Sequence, residues 1–474
     1  MLKFTKQFAV YGFASVLGKI AAVFLLPFYT RVLSEEEYGA MAMIVASKGI
    51  IDLFSNLNIH SGVARDYYEK AIDRVKLIST GFFSILFFSI FVLTILYISK
   101  NFWINNVLNV AGYEKAFIVM LLTLPAGSLF SYFAILTRFK QKAVFYSIGT
   151  SLQLIIQIAL TIYFVLFLKT GIVGVFYGIF FGEIVGIFYF ALLNREYVTI
   201  TFSFNLIKKV LIFSLPTLPA IFAIWADSSV GQILIGKYIS IDDAGIYSIA
   251  LRIASVFLLL QTAFGNVWLP FVYERYNHAT FRKTVFRMFH TATIMLIIVS
   301  VNISLLSDYL VVLLSTPNYI EAGTFLSILT IPMSISILSE FSRIGPNITR
   351  KTKYVSYASM SGSVINILLL IFFLPIYGVI SVPISLGISR IISYSMVSYF
   401  TFREISLLFP PKNVIILIFA IVSCFIIKYA GLSNILVFTG LTVFNILMMA
   451  YIYQSYGISG LFLRRRKAIG QRLF

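Results

Sequence analysis

Long apolar runs limit what this chain can fold into. Runs of about 20 apolar residues are long enough to cross a hydrocarbon core of about 30 Å. Only 12% of the residues are charged, against roughly 25% in a soluble domain. We therefore predict an all-α polytopic membrane protein with about fourteen transmembrane spans. The predicted spans are 8–30, 39–60, 77–98, 116–136, 144–168, 171–193, 209–235, 245–268, 285–306, 322–341, 354–374, 377–400, 413–430 and 434–454.

The distribution of lysine and arginine supports this number of spans. If fourteen spans alternate in direction, 27 of the 37 basic residues lie on the side of the N-terminus and six on the other side. Basic residues accumulate in cytoplasmic loops, so we expect both termini in the cytoplasm. A missing or additional span would scramble this alternation. The same asymmetry accounts for the formal net charge of +19 without a nucleic-acid partner.

Motifs that indicate catalysis are missing from the sequence. It contains no Walker loop, no HExxH and no GxSxG. The predicted loops are too short to hold a soluble catalytic domain. We therefore predict a transporter rather than an enzyme, with no cofactor, no metal site and no ATP-driven step. Any energy source would be the substrate's own gradient or an ion gradient, of H⁺ or Na⁺.

An internal repeat divides the chain. The segment Leu33–Gly39 (LSEEEYG) is similar to Ile239–Gly245 (ISIDDAG), which begins 206 residues later. The offset pairs span 1 with span 7, span 2 with span 8, and span 6 with span 12. We therefore predict two pseudo-symmetric six-helix bundles, 1–208 and 209–403. Residues 404–474 would supply two extra helices and a basic cytoplasmic tail near anionic lipid headgroups.

Seven charged residues lie deep inside the predicted spans, away from the span ends, where each costs at least about 2.5–3.5 kcal/mol. All seven lie on the six helices that the repeat pairs, as expected of groups around a cavity between two halves. We predict that the cations bind substrate and that the acids couple ions. The cations are Lys19, Lys48, Arg252 and Arg390, and the acids are Asp52, Glu183 and Asp227.

Structural roles for these charges remain alternatives. Lys48 and Asp52 are four residues apart on one helix, so they can neutralise each other. Asp227 can pair with Lys19 across spans 1 and 7, and Arg252 can extend towards the outer membrane surface. Glu183 can be protonated and neutral. Arg390 is near the middle of its span with no acid one turn away, so a structural role is hardest to assign to it.

Two segments resemble a known family. They are VYGFASVLGKIAAVFLLPFYTRVLSEEEYGAMAMIVA near the N-terminus, and the stretch with Pro216, Pro219 and Asp227 followed by LIGKYISIDDAGIYSIALRIAS. Both are similar to the segments that begin the two halves of the polysaccharide-biosynthesis flippases, the O-antigen repeat-unit translocases of the Wzx type. The resemblance implies two bundles in a V around a cavity that helices 1, 2, 7 and 8 line.

The resemblance also implies a substrate, a location and partners. The substrate would be an oligosaccharide on undecaprenyl pyrophosphate in the bacterial inner membrane, used for O-antigen, part of lipopolysaccharide, or a related polysaccharide. A polysaccharide polymerase and a chain-length regulator are the implied partners. Two alternatives in the same superfamily stay open, a cation-coupled multidrug exporter and a lipid II flippase. Four deep cations against three acids favour an anionic substrate.

Overall fold

The computed structural model describes residue 18 and residues 23–197, 199–430 and 439–448. Every regular element in these ranges is helical. Most of predicted span 1, about half of span 14 and the basic tail lie outside the described residues. Lys19 lies outside them too.

The N-terminal half contains seven described α-helices longer than three residues, which match the end of predicted span 1, spans 2 to 6 and their connections. They are α1 (Leu26–Val32), α2 (Glu35–Asn56), α3 (Ile59–Asp66), α4 (Arg74–Ile98), α5 (Glu114–Phe139), α6 (Ala143–Ile162) and α7 (Ile172–Leu193). Short π-helical turns follow α4 at Trp103–Leu108 and extend α6 at Tyr163–Phe167.

The rest of the described chain is also a series of helices. They are α8 (Phe204–Ser214), α9 (Leu218–Tyr238), α10 (Ile241–Ala254), α11 (Val256–Arg275), α12 (Phe281–Leu305), α13 (Ser307–Leu314), α14 (Ala322–Ser342), α15 (Ile344–Ile348), α16 (Lys353–Tyr377), α17 (Ser381–Ile405) and α18 (Pro411–Tyr429). A further short apolar helix covers Thr439–Met448.

Eleven segments of the described chain are long and apolar enough to cross a membrane. One of them, Lys353–Ile405, contains both α16 and α17, so it covers predicted spans 11 and 12. Predicted span 7 corresponds to α8 and α9 together, and span 8 to α10 and α11. The prediction of an all-α polytopic membrane protein is therefore confirmed. The count of fourteen spans stays a prediction, since parts of the first and last predicted spans lie outside the described residues.

The internal repeat is visible in the caps of α2 and α10. The Ser34 hydroxyl accepts a hydrogen bond from the Glu37 backbone N–H, and the Ser240 hydroxyl accepts one from the Asp243 backbone N–H. Both caps satisfy a backbone donor at the helix start, and the acids after them favour the positive end of the helix dipole. The two caps are separated by the same 206 residues as the sequence repeat.

The two copies also touch each other. A Cβ on Gly39 would overlap the Ile241 carbonyl oxygen, and a Cβ on Gly245 would lie 3.0 Å from the Glu35 carbonyl oxygen. Glu35 and Ile241 are themselves repeat equivalents, so the contact is reciprocal. Reciprocal contacts between equivalent segments are the property of an isologous interface around a two-fold axis. Helices α2 and α10 therefore cross on the pseudo-two-fold axis, where a Cβ at Gly39 would overlap backbone and one at Gly245 would be tightly packed.

Predicted span 7 is broken near its N-terminal end. The 3₁₀ turn Leu215–Thr217 separates α8 from α9, with Pro216 inside it and Pro219 at the start of α9. Proline removes a backbone donor and clashes with the preceding turn, so a break is expected here. Helix α8 packs on α3 and α4, whereas α9 packs on α2 and α16. The predicted boundary between residues 208 and 209 thus falls inside α8, and the domain limits stay a prediction.

Candidate functional site

A cavity of about 550 Å³ lies in the C-terminal half, between α9, α10, α11, α14, α16 and α17. This volume is within the usual range of small-molecule pockets. About half of the lining residues are polar, which is unusual for the interior of a membrane domain. The polar lining residues are Asp227, Ser228, Ser255, Gln261, Ser336, Ser339, Arg343, Ser356, Ser359, Arg390 and Ser393.

An ion pair between α9 and α17 forms one wall of this cavity. Arg390 Nη2 lies 3.2 Å from Asp227 Oδ2. The Ser363 hydroxyl donates to Asp227 Oδ1 at 2.8 Å, so both carboxylate oxygens are bound. The Asp227 side chain is only 5% exposed, whereas that of Arg390 is 29% exposed. A guanidinium has five N–H donors, so Asp227 orients Arg390 and leaves donors facing the cavity.

A second ion pair lines the same cavity. Arg343 Nη1 lies 2.9 Å from Glu340 Oε1, and the Gln261 side-chain amide donates to the same oxygen at 2.8 Å. Arg343 is one of the 27 basic residues that the predicted spans assign to loops on the side of the N-terminus, and Glu340 and Gln261 are not among the predicted site residues. The available signal was a carboxylate, Glu340, inside the end of predicted span 322–341. Arg343, three residues after Glu340, is the member of this pair that lines the cavity.

Three other predicted charges form a cluster in the N-terminal half. Lys48 Nζ lies 2.7 Å from Asp52 Oδ2, which agrees with the pairing alternative for these two residues. Glu183 is buried near them and interacts electrostatically with both. Its carboxylate approaches α5, where a Cβ on Gly127 would lie 2.8 Å from Glu183 Oε1. With two carboxyl groups and one amine, the cluster is neutral when it holds one additional proton.

Arg252 occupies a third place, between the halves. Its guanidinium carbon lies 5.5 Å from the centre of the Tyr29 ring and 5.6 Å from that of Tyr38. Tyr38 in turn packs edge-on against Tyr319. Cation–π contacts of this kind stabilise a cation away from water. Arg252 is half-buried, and it is not one of the residues that line the C-terminal cavity.

Trp225, the repeat counterpart of Lys19, joins the two halves. Its indole N–H donates to the Ala46 carbonyl oxygen at 2.8 Å. The ring lies against Gly49, where an added Cβ would approach it to 2.7 Å. Asp227, two residues further along α9, is bound to Arg390 and Ser363. The alternative pairing of Asp227 with Lys19 involves a residue outside the described chain.

The six described charges therefore occupy three places rather than one. Asp227 and Arg390 line the C-terminal cavity, Arg252 lies between the halves, and the other three are in the N-terminal cluster. Of the helices that the resemblance implies around a central cavity, α9 and α10 line this one and α2 does not. The substrate-binding and ion-coupling roles of these residues stay predictions.

The family model described as "Polysaccharide biosynthesis protein" matches residues 4–276, which is more than half of the chain. The chain belongs to this family. The resemblance of the segments that begin the two halves to a polysaccharide-biosynthesis family is therefore confirmed. No curated protein sequence matches the chain.

Solved structures of the same fold are transporters. "Lipid II flippase MurJ, inward closed conformation" aligns over 94% of this chain and 99% of that one, with a TM-score of 0.72 and 16% identity. The inward-facing conformation of a multidrug resistance MATE family transporter of the MOP superfamily aligns over 85% and 94%, with a TM-score of 0.66 and 14% identity. A MATE protein in complex with MaD3S aligns over 85% and 96%, with a TM-score of 0.60 and 14% identity. This member of the polysaccharide biosynthesis family therefore has a flippase-like transporter fold.

Proposed function

We propose that the protein flips undecaprenyl-pyrophosphate-linked oligosaccharide repeat units from the cytoplasmic to the outer leaflet of the bacterial inner membrane. The flipped units would supply O-antigen or a related surface polysaccharide. The observation that carries this proposal is the C-terminal cavity, in which two arginines share the lining with seven serines. Membership of a polysaccharide biosynthesis family agrees with this substrate class.

The cavity lining suits a sugar diphosphate. Arginine binds phosphate oxygens through two parallel N–H groups, and it stays charged in a desolvated site. Asp227 and Glu340 hold the two guanidinium groups in place without occupying all of their donors. Serine hydroxyls both donate and accept, as sugar hydroxyls do. Carrying such a headgroup through hydrocarbon without these partners would be prohibitively costly.

A separate apolar cavity suits the isoprenoid tail. It has a volume of about 310 Å³ and lies between α14, α17 and α18, with lining residues such as Ile331, Ile388 and Ile421. Helix α17 separates the two cavities. One face presents Arg390 to the polar cavity and another presents Ile388 to the apolar one. The headgroup and the tail of one lipid would thus be bound on two sides of a single helix.

Alternating access would come from movement of the halves about α2, α9 and α10. In the present conformation the halves are packed together at Gly39 and Gly245. The break at Leu215–Thr217 is a position where α9 can change its angle to α8. Lys19, Lys48 and Arg252 belong to the proposal as contacts for the headgroup in other states of the cycle. Asp52, Glu183 and Asp227 are the proposed H⁺ or Na⁺ coupling residues.

The test is to replace Arg390 and Arg343 by glutamine separately. Surface polysaccharide and inner-leaflet lipid-linked repeat units are measured at matched protein levels. We expect less polysaccharide and accumulated repeat units in both variants. Arg287→Gln is the matched control, because Arg287 is exposed on α12 and does not line the cavity. Normal polysaccharide display in both cavity variants would contradict the site.

The two alternative transport activities have distinct outcomes. A multidrug exporter would lower drug accumulation in a strain that lacks its own pumps. A lipid II flippase would restore peptidoglycan synthesis after depletion of the native flippase. Either result, together with normal surface polysaccharide after deletion of this protein, would replace the proposed substrate.

A further inference from the structure

A groove that shares no lining residue with the polar cavity has a volume of about 1100 Å³. It lies between α4 and α8. Five of its thirteen lining residues are phenylalanines, and Lys208 supplies its one charge. The rings come from both helices and from the segment that leads into α8. They are Phe83, Phe87, Phe88, Phe202 and Phe204.

Helix α8 has two faces with different partners. On one face Lys209 Nζ lies 2.8 Å from Glu69 Oε2 and 3.5 Å from Asp66 Oδ2, so its charge is neutralised by the end of α3 and the segment after it. The groove face carries Phe204, Lys208 and Leu211, at the spacing of one helical stripe. The adjacent lysines therefore lie on different faces of α8: Lys209 faces the acids of the α3 side, and Lys208 faces the groove.

Lys208 has no counter-charge on the groove side. It is exposed, and within the described residues it makes no hydrogen bond, ion pair or cation–π contact. No acidic residue lines the groove. The Asn205 side chain, one turn before Lys208, adds a second polar group at this end. The groove therefore combines five aromatic rings with a positive charge that has no acidic partner among the lining residues.

We propose that this groove is a binding site for an anionic phospholipid. The phosphate lies at Lys208 and Asn205, and an acyl chain follows the rings of Phe83 and Phe87 along α4. A lysine stem packs on apolar surface while its ammonium group reaches the headgroup region. An anionic headgroup supplies the missing counter-charge, whereas a zwitterionic phospholipid brings no net charge. The bound lipid holds α8 against α4, next to the break in span 7.

The experiment compares the adjacent lysines in the full-length protein. Purified protein in detergent is titrated with phosphatidylglycerol or with phosphatidylethanolamine of the same acyl chains, and bound lipid is counted by native mass spectrometry. We expect the wild type to bind phosphatidylglycerol more tightly than phosphatidylethanolamine. In Lys208→Gln the ratio of the two affinities should be about fivefold lower, which is the usual contribution of one lysine near anionic lipid. Lys209→Gln should keep the preference, and so should Lys208→Arg.

A second pair of variants tests the aromatic surface. Phe87→Ala removes a ring that lines the groove, whereas Phe91→Ala removes an exposed ring stacked on Phe87 but outside the lining. We expect lower phosphatidylglycerol binding only in Phe87→Ala. Equal binding of the two lipids by the wild type, or equal behaviour of Lys208→Gln and Lys209→Gln, would overturn the proposal. Displacement of phosphatidylglycerol by equimolar undecaprenyl phosphate would also overturn it and would assign the groove to the carrier lipid.

Discussion

The ion pair between Asp227 and Arg390 allows a quantitative prediction about three variants. Arg390→Gln leaves the Asp227 carboxylate buried with the Ser363 hydroxyl as its remaining close partner. Asp227→Asn leaves Arg390 about one-third exposed to the cavity, where water can solvate it. The double variant removes both charges. The three changes therefore have unequal expected costs.

The magnitudes follow from the burial of each partner. Removing one member of a buried ion pair costs about 3–5 kcal/mol when the other charge stays buried. This range applies to Arg390→Gln, since Asp227 is 5% exposed. We expect about 1–2 kcal/mol for Asp227→Asn, the cost of losing one hydrogen-bonded partner beside water. The double variant should cost a similar ~1–2 kcal/mol, so the coupling energy of the pair has a magnitude of about 4 kcal/mol.

The assay is reversible unfolding of the purified protein in mixed micelles of a mild detergent and dodecyl sulfate. The free energy of unfolding is compared for the wild type, the two single variants and the double variant. Additive costs within about 0.5 kcal/mol would refute the reasoning, because independent sites behave in that way. A larger cost for Asp227→Asn than for Arg390→Gln would refute the assignment of Asp227 as the more buried partner.

Three further predictions concern packing and charge. Gly39→Ala should lower the free energy of unfolding by about 1–3 kcal/mol, because its Cβ would overlap the Ile241 carbonyl oxygen, whereas Gly265→Ala, with open space around the Cβ, should not lower it. Trp225→Phe should cost about 0.6 kcal/mol and at most ~1.7 kcal/mol in the same assay, the average and the maximum for hydrogen bonds between membrane helices. Lys209 lowers the pKa of Glu69 below its usual value of 4.5, so the stabilisation is present above pH 4.5 and is lost as the pH falls further. The melting temperature of the wild type should therefore fall more steeply below pH 4.5 than that of Lys209→Gln, and parallel curves would contradict this.

Some features of the site were accessible from the sequence because they depend on local order. An apolar run of sufficient length must be a helix in a membrane, since its backbone has no other hydrogen-bond partners there. The repeat predicted that α2 and α10 would begin alike, and both begin at a capping serine, Ser34 and Ser240. The pairing of Lys48 with Asp52 followed from their spacing on one helix.

Other features depend on how each helix is rotated against its neighbours, which hydropathy does not encode. Arg390 has no acid one turn away on α17, and its partner comes from α9, far away in sequence. Arg343 follows an apolar span and was assigned to a loop. In the structure it caps the C-terminal end of α14, and it lines the cavity. The repeat matched Gly39 with Gly245 but contained no information that the axis between the halves passes through them.

The sequence by itself therefore determined the class, the helices and the duplication of this protein, because hydrophobic length and capping are properties of neighbouring residues. Only the tertiary structure decided which deep charges meet. A charge at a given depth can face lipid, a neighbouring helix or a cavity, and the rotation of the packed helices selects among these. In this fold that rotation places Asp227 and Arg390 in the cavity, Arg252 between the halves, and the lone charge of Lys208 in an aromatic groove.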